Sequence, residues 1–144
     1  MIEHDTIRLL RECDAGVKMG ISSIEDVLDY TSNEKLKNIL SEGKKEHQKL
    51  AEELQELLDK YHDDGKEPNV MAKGMSWIKT NVKLALDESD NVIADLMTDG
   101  CDMGIKSLQK YLNQYEGADE KSKTLAKRLI SIEENMEKDI KEFL

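Results

Sequence analysis

The sequence predicts an all-α protein built as a bundle of four long helices. Apolar residues recur at helical spacing in four segments, and no segment shows the alternation typical of a β-strand. A single proline and few aromatic residues also favour helix over strand. With 144 residues the chain can bury a real core, so we expect one domain over residues 1–144.

Two helices are predicted in the first half of the chain, one from about Asp5 to Tyr30 and one after Thr31. Thr31 and Glu34 have the spacing of a capping box, in which two side chains satisfy backbone N–H groups at a helix start. Gly65 is suited to the left-handed conformation that ends many helices. The second helix carries a seam with alternating steps of four and three residues: Leu36, Leu40, Gly43, His47, Leu50, Leu54, Leu57 and Tyr61.

Two more helices are predicted in the second half, one from residues 87–89 to Tyr115 and one from about Asp119 onward. Short loops join the two helices within each half of the chain. Residues 5–62 and residues 87–144 are therefore each expected to form an antiparallel hairpin.

Residues 63–86 connect the two hairpins and are too many for a tight turn. A connection of this length can cross the whole bundle, as one arrangement of four helices requires. Pro68 can open a helix, and we expect a short amphipathic helix after it, with Trp77 partly buried beside it. The apolar face of this helix consists of Met71, Met75, Ile78 and Val82.

An internal repeat relates the two predicted hairpins. Residues 16–24, GVKMGISSI, match residues 100–108, GCDMGIKSL, at an offset of 84. The shared residues are Gly16, Met19, Gly20, Ile21 and Ser23, which reappear as Gly100, Met103, Gly104, Ile105 and Ser107. Duplication of a hairpin explains the match. Convergent packing is the alternative, because glycines spaced by four let two helices approach closely in any bundle.

The charge of the chain argues against several classes of partner. Lys and Arg number 21 against 31 Asp and Glu, which gives a net charge of −10. The negative electrostatic potential that results from this charge opposes binding to nucleic acid or to an anionic membrane. The N-terminus does not read as a signal peptide, and no apolar run approaches the roughly 20 residues of a membrane span. Cys13 and Cys101 lack a short metal-type spacing, which fits a reducing cytoplasm.

Two hairpins joined by a long crossover resemble the ferritin-like superfamily, and in particular a bacterial branch of small stand-alone four-helix bundles with degenerate metal ligands. The resemblance covers nearly the whole chain and rests on architecture and pattern. It implies a site for two metal ions inside the bundle. Active members hold these ions with a carboxylate from each of two helices and a Glu-x-x-His from each of the other two.

This ligand pattern is altered in the present sequence. His47 lies where the histidine of the second helix is expected, but Lys44 occupies the glutamate position before it. In the fourth helix Glu133 is followed by Met136 in place of histidine. The first helix offers Asp14, and the third offers Thr98 at the repeat-equivalent position. At most Asp14, His47 and Glu133 remain as ligands, and an ammonium among them would repel a metal ion.

The same residues also fit a purely structural interpretation. His47 is expected to be buried on the seam as a core histidine, hydrogen-bonded to Asp14, its nearest acidic neighbour. Lys44 and Glu133 form an ion pair in this interpretation, or extend to solvent. Cys13 and Cys101 serve as small apolar core residues.

These observations favour a non-enzymatic bundle that acts through protein partners or self-association, with no catalytic residue and no cofactor. The alternative is a metal-binding or redox protein with a reduced site, for which iron, manganese or zinc suits imidazole and carboxylate ligands. A third hypothesis is a small ligand bound between the helices, where the paired glycines leave space. The sequence offers no polar constellation that identifies such a ligand.

Overall fold

The structure, a computed structural model, describes residues 2–68 and 89–144. Within these residues it contains four long α-helices and no strand, which confirms the all-α prediction. The helices are α1 (Ile2–Leu28), α2 (Glu34–Lys60), α3 (Ser89–Gln114) and α4 (Glu120–Ile140), and a short 3-10 helix (Lys141–Phe143) follows α4. No described helix combines the length and apolar character needed to cross a membrane. The predicted short helix with Trp77 falls outside the described residues.

The helix ends follow local side-chain chemistry that the sequence predicted only in part. Asn33 caps α2, because its Oδ1 accepts a hydrogen bond of 3.1 Å from the Leu36 N–H. The predicted capping box is wrong: Thr31 instead donates its hydroxyl to the Val27 carbonyl at the end of α1. Asp119 caps α4 by accepting from the Ser122 N–H at 2.8 Å.

The end of α2 also differs from the prediction. His62, with a φ of 56°, is the first left-handed residue after the helix, ahead of Gly65 with a φ of 79°. The His62 N–H bonds to the Asp59 carbonyl and the Asp63 N–H to the Leu58 carbonyl, which is the Schellman pattern. Histidine tolerates this conformation better than most residues with a Cβ atom.

The core consists of two apolar clusters, one toward each end of the bundle. The first cluster contains Leu9, Leu10, Cys13, Val17, Leu50, Leu54, Leu57, Leu58, Leu108, Leu112, Ala118, Leu125, Ala126, Leu129 and Ile132. The second contains Ile24, Val27, Leu36, Leu40, Ile93, Ala94, Leu96, Met97, Cys101, Met136 and Ile140. Along α2 the clusters stop at Leu40 and resume at Leu50, so the middle of this helix lies at a boundary between them.

Contacts between distant residues show which helix ends lie together. The Arg11 guanidinium binds the Asp63 carboxylate, with Nε 3.0 Å from Oδ2. The Ser32 N–H donates to Asp90 at 2.9 Å, which brings the start of α3 to the loop between α1 and α2. The Gly117 N–H donates to Asp5 at 2.9 Å. The loop between α3 and α4 therefore lies beside the start of α1.

Candidate functional site

His47 is fully buried at the boundary between the two apolar clusters, as predicted. Both nitrogens of its ring have partners. Nδ1 lies 2.7 Å from the Gly43 carbonyl oxygen, and Nε2 lies 3.2 Å from Oε1 of Glu133. A carbonyl oxygen only accepts, so the hydrogen bond to Gly43 requires a proton on Nδ1.

A hydrogen bond between Nε2 of His47 and Oε1 of Glu133 requires a second proton, which belongs to one of the two residues. Either His47 carries it as an imidazolium beside a carboxylate, or Glu133 carries it and donates to a neutral ring. Burial by itself lowers the pKa of His47, but the hydrogen bond and negative charge of Glu133 raise it above its ordinary value. The geometry therefore favours an imidazolium–carboxylate ion pair between α2 and α4.

We use the term polar layer for His47, Glu133 and the residues that surround them. Cys101 of α3 belongs to this polar layer. Cys101 is 1% exposed, and its thiol lies within electrostatic reach of the Glu133 carboxylate. Burial and the Glu133 carboxylate raise the pKa of the Cys101 thiol far above its ordinary value, and burial raises that of Cys13 to about 12. Both cysteines are free thiols rather than thiolates, which makes them poor nucleophiles.

Two glycines of the internal repeat flank the ion pair. A Cβ atom on Gly20 would lie 2.6 Å from both Cδ2 and Nε2 of His47. A Cβ atom on Gly104, the matching residue of the second copy, would lie 3.6 Å from Oε1 of Glu133. Gly20, the repeated glycine of α1, therefore faces the His47 imidazole. Gly104, its counterpart in α3, faces the Glu133 carboxylate. Of these two contacts only the one at Gly20 is tight.

A buried polar layer of this kind sets the register of the helices that carry it. Sliding α2 against α4 by one turn would move His47 and Glu133 into apolar surroundings, where each would be unpaired. The cost of such a mismatch is several kcal/mol, on the order of the whole stability of a small domain.

Asp14 does not belong to this layer, so the predicted hydrogen bond between Asp14 and His47 is wrong. Asp14 is 3% exposed, and its Oδ2 accepts from the Lys66 N–H at 3.0 Å and pairs with Lys18 Nζ at 2.8 Å. It precedes Gly20 by six residues, or about 9 Å along the helix axis. Its role is to hold the loop after α2 against α1.

The other residues of the predicted ligand pattern also point elsewhere. Lys44 Nζ lies 3.6 Å from Oε1 of Glu25, so of the two alternatives for Lys44 the pair with Glu133 is not formed. Thr98 donates its hydroxyl to the carbonyl of Asp95 at 3.1 Å within α3. Met136 packs over Gly43, where an added Cβ atom would lie 2.5 Å from the Met136 sulfur.

Of the candidate ligands Asp14, His47 and Glu133, the structure brings together only His47 and Glu133. Sequence reasoning placed His47 in the core beside Asp14, and left Glu133 either paired with Lys44 or extended to solvent. Among the described residues, no group of three or more His, Cys, Asp or Glu side chains is arranged to hold a metal ion.

Two acidic residues, Asp102 and Glu137, interact beside the polar layer, and sequence reasoning missed this pair. Partial burial raises the pKa of Glu137 to about 7, and the hydrogen bond and charge of Asp102 add to the shift. The negative charge of Glu133 acts in the same direction. The sequence does place Glu133 and Glu137 four residues apart on α4, but the approach of Asp102 depends on the rotation of α3.

Comparison of the chain with family models finds no match, and comparisons with curated proteins and with solved structures find none either.

Proposed function

We propose that the chain is a ferritin-like bundle of two antiparallel hairpins joined by a crossover. The contact between Arg11 and Asp63 supports an α2 that runs back toward the start of α1. The contact between Ser32 and Asp90 supports an α3 that starts at the opposite end. The 27 residues of α2 span about 40 Å, and the 28 residues numbered 61–88 are enough to connect points that far apart.

The bundle is non-enzymatic in this proposal, and it acts through contacts with other proteins or with copies of itself. The observation that carries the proposal is that both ring nitrogens of the buried His47 already have partners, the Gly43 carbonyl and the Glu133 carboxylate. A metal ligand needs a free electron pair on a ring nitrogen, but Nδ1 donates to Gly43 and Nε2 faces Glu133. A divalent ion would have to displace a proton and break a buried ion pair with few other ligands to compensate.

The character of the other polar groups supports the same proposal. The two thiols of the described core have raised pKa values and are buried, which disfavours nucleophilic chemistry. The net charge of −10 disfavours nucleic acid and anionic membranes as partners. Contacts with proteins are the class of function that remains compatible with this surface.

The test is calorimetric titration of the purified, dialysed protein with iron(II), manganese(II) and zinc(II). We expect no stoichiometric binding by the unmodified protein. The double variant Lys44→Glu and Met136→His restores two ligand types of the ferritin-like pattern. Because Lys44 is directed to Glu25, tighter binding by this variant would require the new glutamate side chain to turn inward. Near-stoichiometric binding by the unmodified protein that is lost in His47→Ala would overturn the proposal.

A metal-binding or redox function is the second candidate, and one observation favours it. The pKa of Glu137 is raised by the charges of both Asp102 and Glu133, so carboxylates of α3 and α4 lie within electrostatic reach of one another beside the buried pair. Hard divalent ions prefer such oxygen ligands. Binding that is lost in Asp102→Asn or Glu137→Gln would support this candidate, because neither change removes the buried pair.

A further inference from the structure

A groove of about 240 Å³ lies between α2 and α4, on the outer side of the buried ion pair. Its lining includes three apolar side chains, Ile39, Ile132 and Met136, and the backbone of Gly43. The Met136 sulfur lies 2.5 Å from the place that a Cβ atom of Gly43 would take, so the missing side chain lets Met136 pack closely against α2 at the groove floor.

The rim of the groove is acidic. Glu42, Glu46 and Asp139 line it, whereas no Lys or Arg does so among the described residues. Glu42 has a partner outside the groove, Lys45, whose Nζ lies 3.3 Å from its Oε1. Glu46 and Asp139 are exposed and form no ion pair with another described residue. The groove therefore carries uncompensated negative charge around an apolar floor.

We propose that this groove binds an amphipathic helix of a partner protein that presents Lys or Arg residues beside its apolar face. Apolar side chains of such a helix pack mainly on Ile39, because Ile132 and Met136 are only 7% and 5% exposed at the groove floor. The cations of the helix reach Glu46 and Asp139 at the rim. This inference rests on the proposed function, because it names the surface through which the bundle makes protein contacts.

The dimensions of the groove favour a helix over a cofactor. Along α2 the lining extends from residue 38 to residue 46, which corresponds to about 12 Å or two turns of helix. Pockets for cofactors and drug-sized ligands have volumes of about 300–1,000 Å³, above the volume of this groove. A partner helix that contributes a few side chains over two turns matches the space.

The groove is connected to the buried pair through Gly43. The carbonyl of Gly43 accepts the Nδ1–H of His47, while Met136 covers the same residue from the groove. A helix that packs on Met136 therefore displaces atoms in contact with a partner of His47. Binding should be detectable at the imidazole even though the ring itself is buried.

The test uses a synthetic helical peptide of about five turns with Lys and Leu on opposite faces. A scrambled peptide of the same composition, which has no apolar face, is the control for charge alone. Binding is followed by fluorescence anisotropy and by two-dimensional ¹H–¹⁵N NMR at physiological salt. We expect the amphipathic peptide to shift the amides around Gly43 and Met136 and the side-chain signals of His47.

Charge reversal separates the groove from the general acidity of the surface. The double variant Glu46→Lys and Asp139→Lys should weaken binding of the amphipathic peptide by about tenfold or more. Its matched control is Glu56→Lys with Glu134→Lys, which makes the same charge change at exposed positions of α2 and α4 outside the groove. The control should weaken binding only by the smaller, salt-screened effect of net charge.

Three outcomes would overturn the groove as a docking site. The scrambled peptide could bind equally well, the two double variants could have equal effects, or the NMR shifts could be spread over the acidic surface. Competition by spermidine at the same charge concentration would indicate a site for small amines and would overturn it as well. None of these outcomes bears on metal binding by His47 and Glu133. Failure of the groove and failure of the proposed function are therefore distinguishable.

Discussion

Nε2 of His47 and Oε1 of Glu133 lie 3.2 Å apart, where the two apolar clusters of the core meet. The contact joins α2 to α4 through an ion pair whose imidazole is fully buried. Cys101 and Gly104 of α3 and Gly20 of α1 surround it, so all four helices contribute to one polar layer.

Removal of the imidazole should strongly destabilise the fold. In His47→Ala the Glu133 carboxylate keeps its burial but loses its partner, so we expect the free energy of unfolding to fall by about 3–5 kcal/mol. Replacing both residues with leucine should cost much less than the single changes His47→Leu and Glu133→Leu together, because no uncompensated charge remains. Chemical denaturation of the two single variants and the double variant measures this. Additive losses would contradict the ion pair.

Stability should depend on pH in the neutral range. His47 has a pKa above its ordinary value when folded, so its stabilising contribution is complete below about pH 6.5 and is lost as pH rises through the raised value. Glu137, whose pKa is raised to about 7, binds its proton more tightly in the folded state, so stability also falls as pH rises from 4.5 toward 7.

Two variants separate these contributions. Glu137→Gln should flatten the decline between pH 4.5 and 7, and His47→Ala should remove the decline above about pH 6.5. The free energy of unfolding is measured in urea from pH 5 to pH 9. Stability that rises steadily with pH over this range would contradict both assignments.

Two glycines on the same helix should respond oppositely to alanine. A Cβ atom at Gly20 collides with the buried ring of His47, so Gly20→Ala should destabilise the fold by about 1–3 kcal/mol. At Gly16 the nearest atom is Cδ2 of Leu129 at 3.5 Å, an ordinary contact. Gly16→Ala should therefore be neutral or stabilising by up to about 1 kcal/mol, since alanine favours helix. Thermal unfolding of both variants tests the difference.

Asp14 should act on the loop after α2 and not on the buried pair. Asp14→Asn weakens its interactions with Lys18 and the Lys66 N–H, and we expect a loss of about 1–3 kcal/mol of stability. NMR titration of His47 in this variant should give the same pKa as in the unmodified protein. A clear change in that pKa would restore Asp14 to the neighbourhood of the imidazole.

The sequence predicted the helices and the buried His47 because both follow from apolar spacing along one helix. It failed where the outcome depends on the rotation and axial position of one helix relative to another. His47 was expected within hydrogen-bonding reach of Asp14, yet Gly20 is the α1 residue that meets the ring. Lys44 is three residues from His47, but a small difference in direction takes it to Glu25.

The partner of His47 illustrates the same limit. Glu133 was recognised from its spacing as the glutamate of an altered Glu-x-x-His motif on α4, but it was not predicted to face inward. Only the packing of α2 on α4 shows that its oxygen reaches Nε2 instead of Lys44. The altered ligand pattern therefore contained both members of the ion pair but did not predict their contact.

The measurement that tests the ion pair most directly is ¹⁵N NMR of the His47 side chain at neutral pH, recorded before and after addition of equimolar zinc(II). A structural imidazolium has protons on both nitrogens, so both ¹⁵N signals should lie in the protonated range and remain there with zinc. One deprotonated nitrogen whose signal moves on addition of zinc would contradict the account and would identify His47 as a metal ligand.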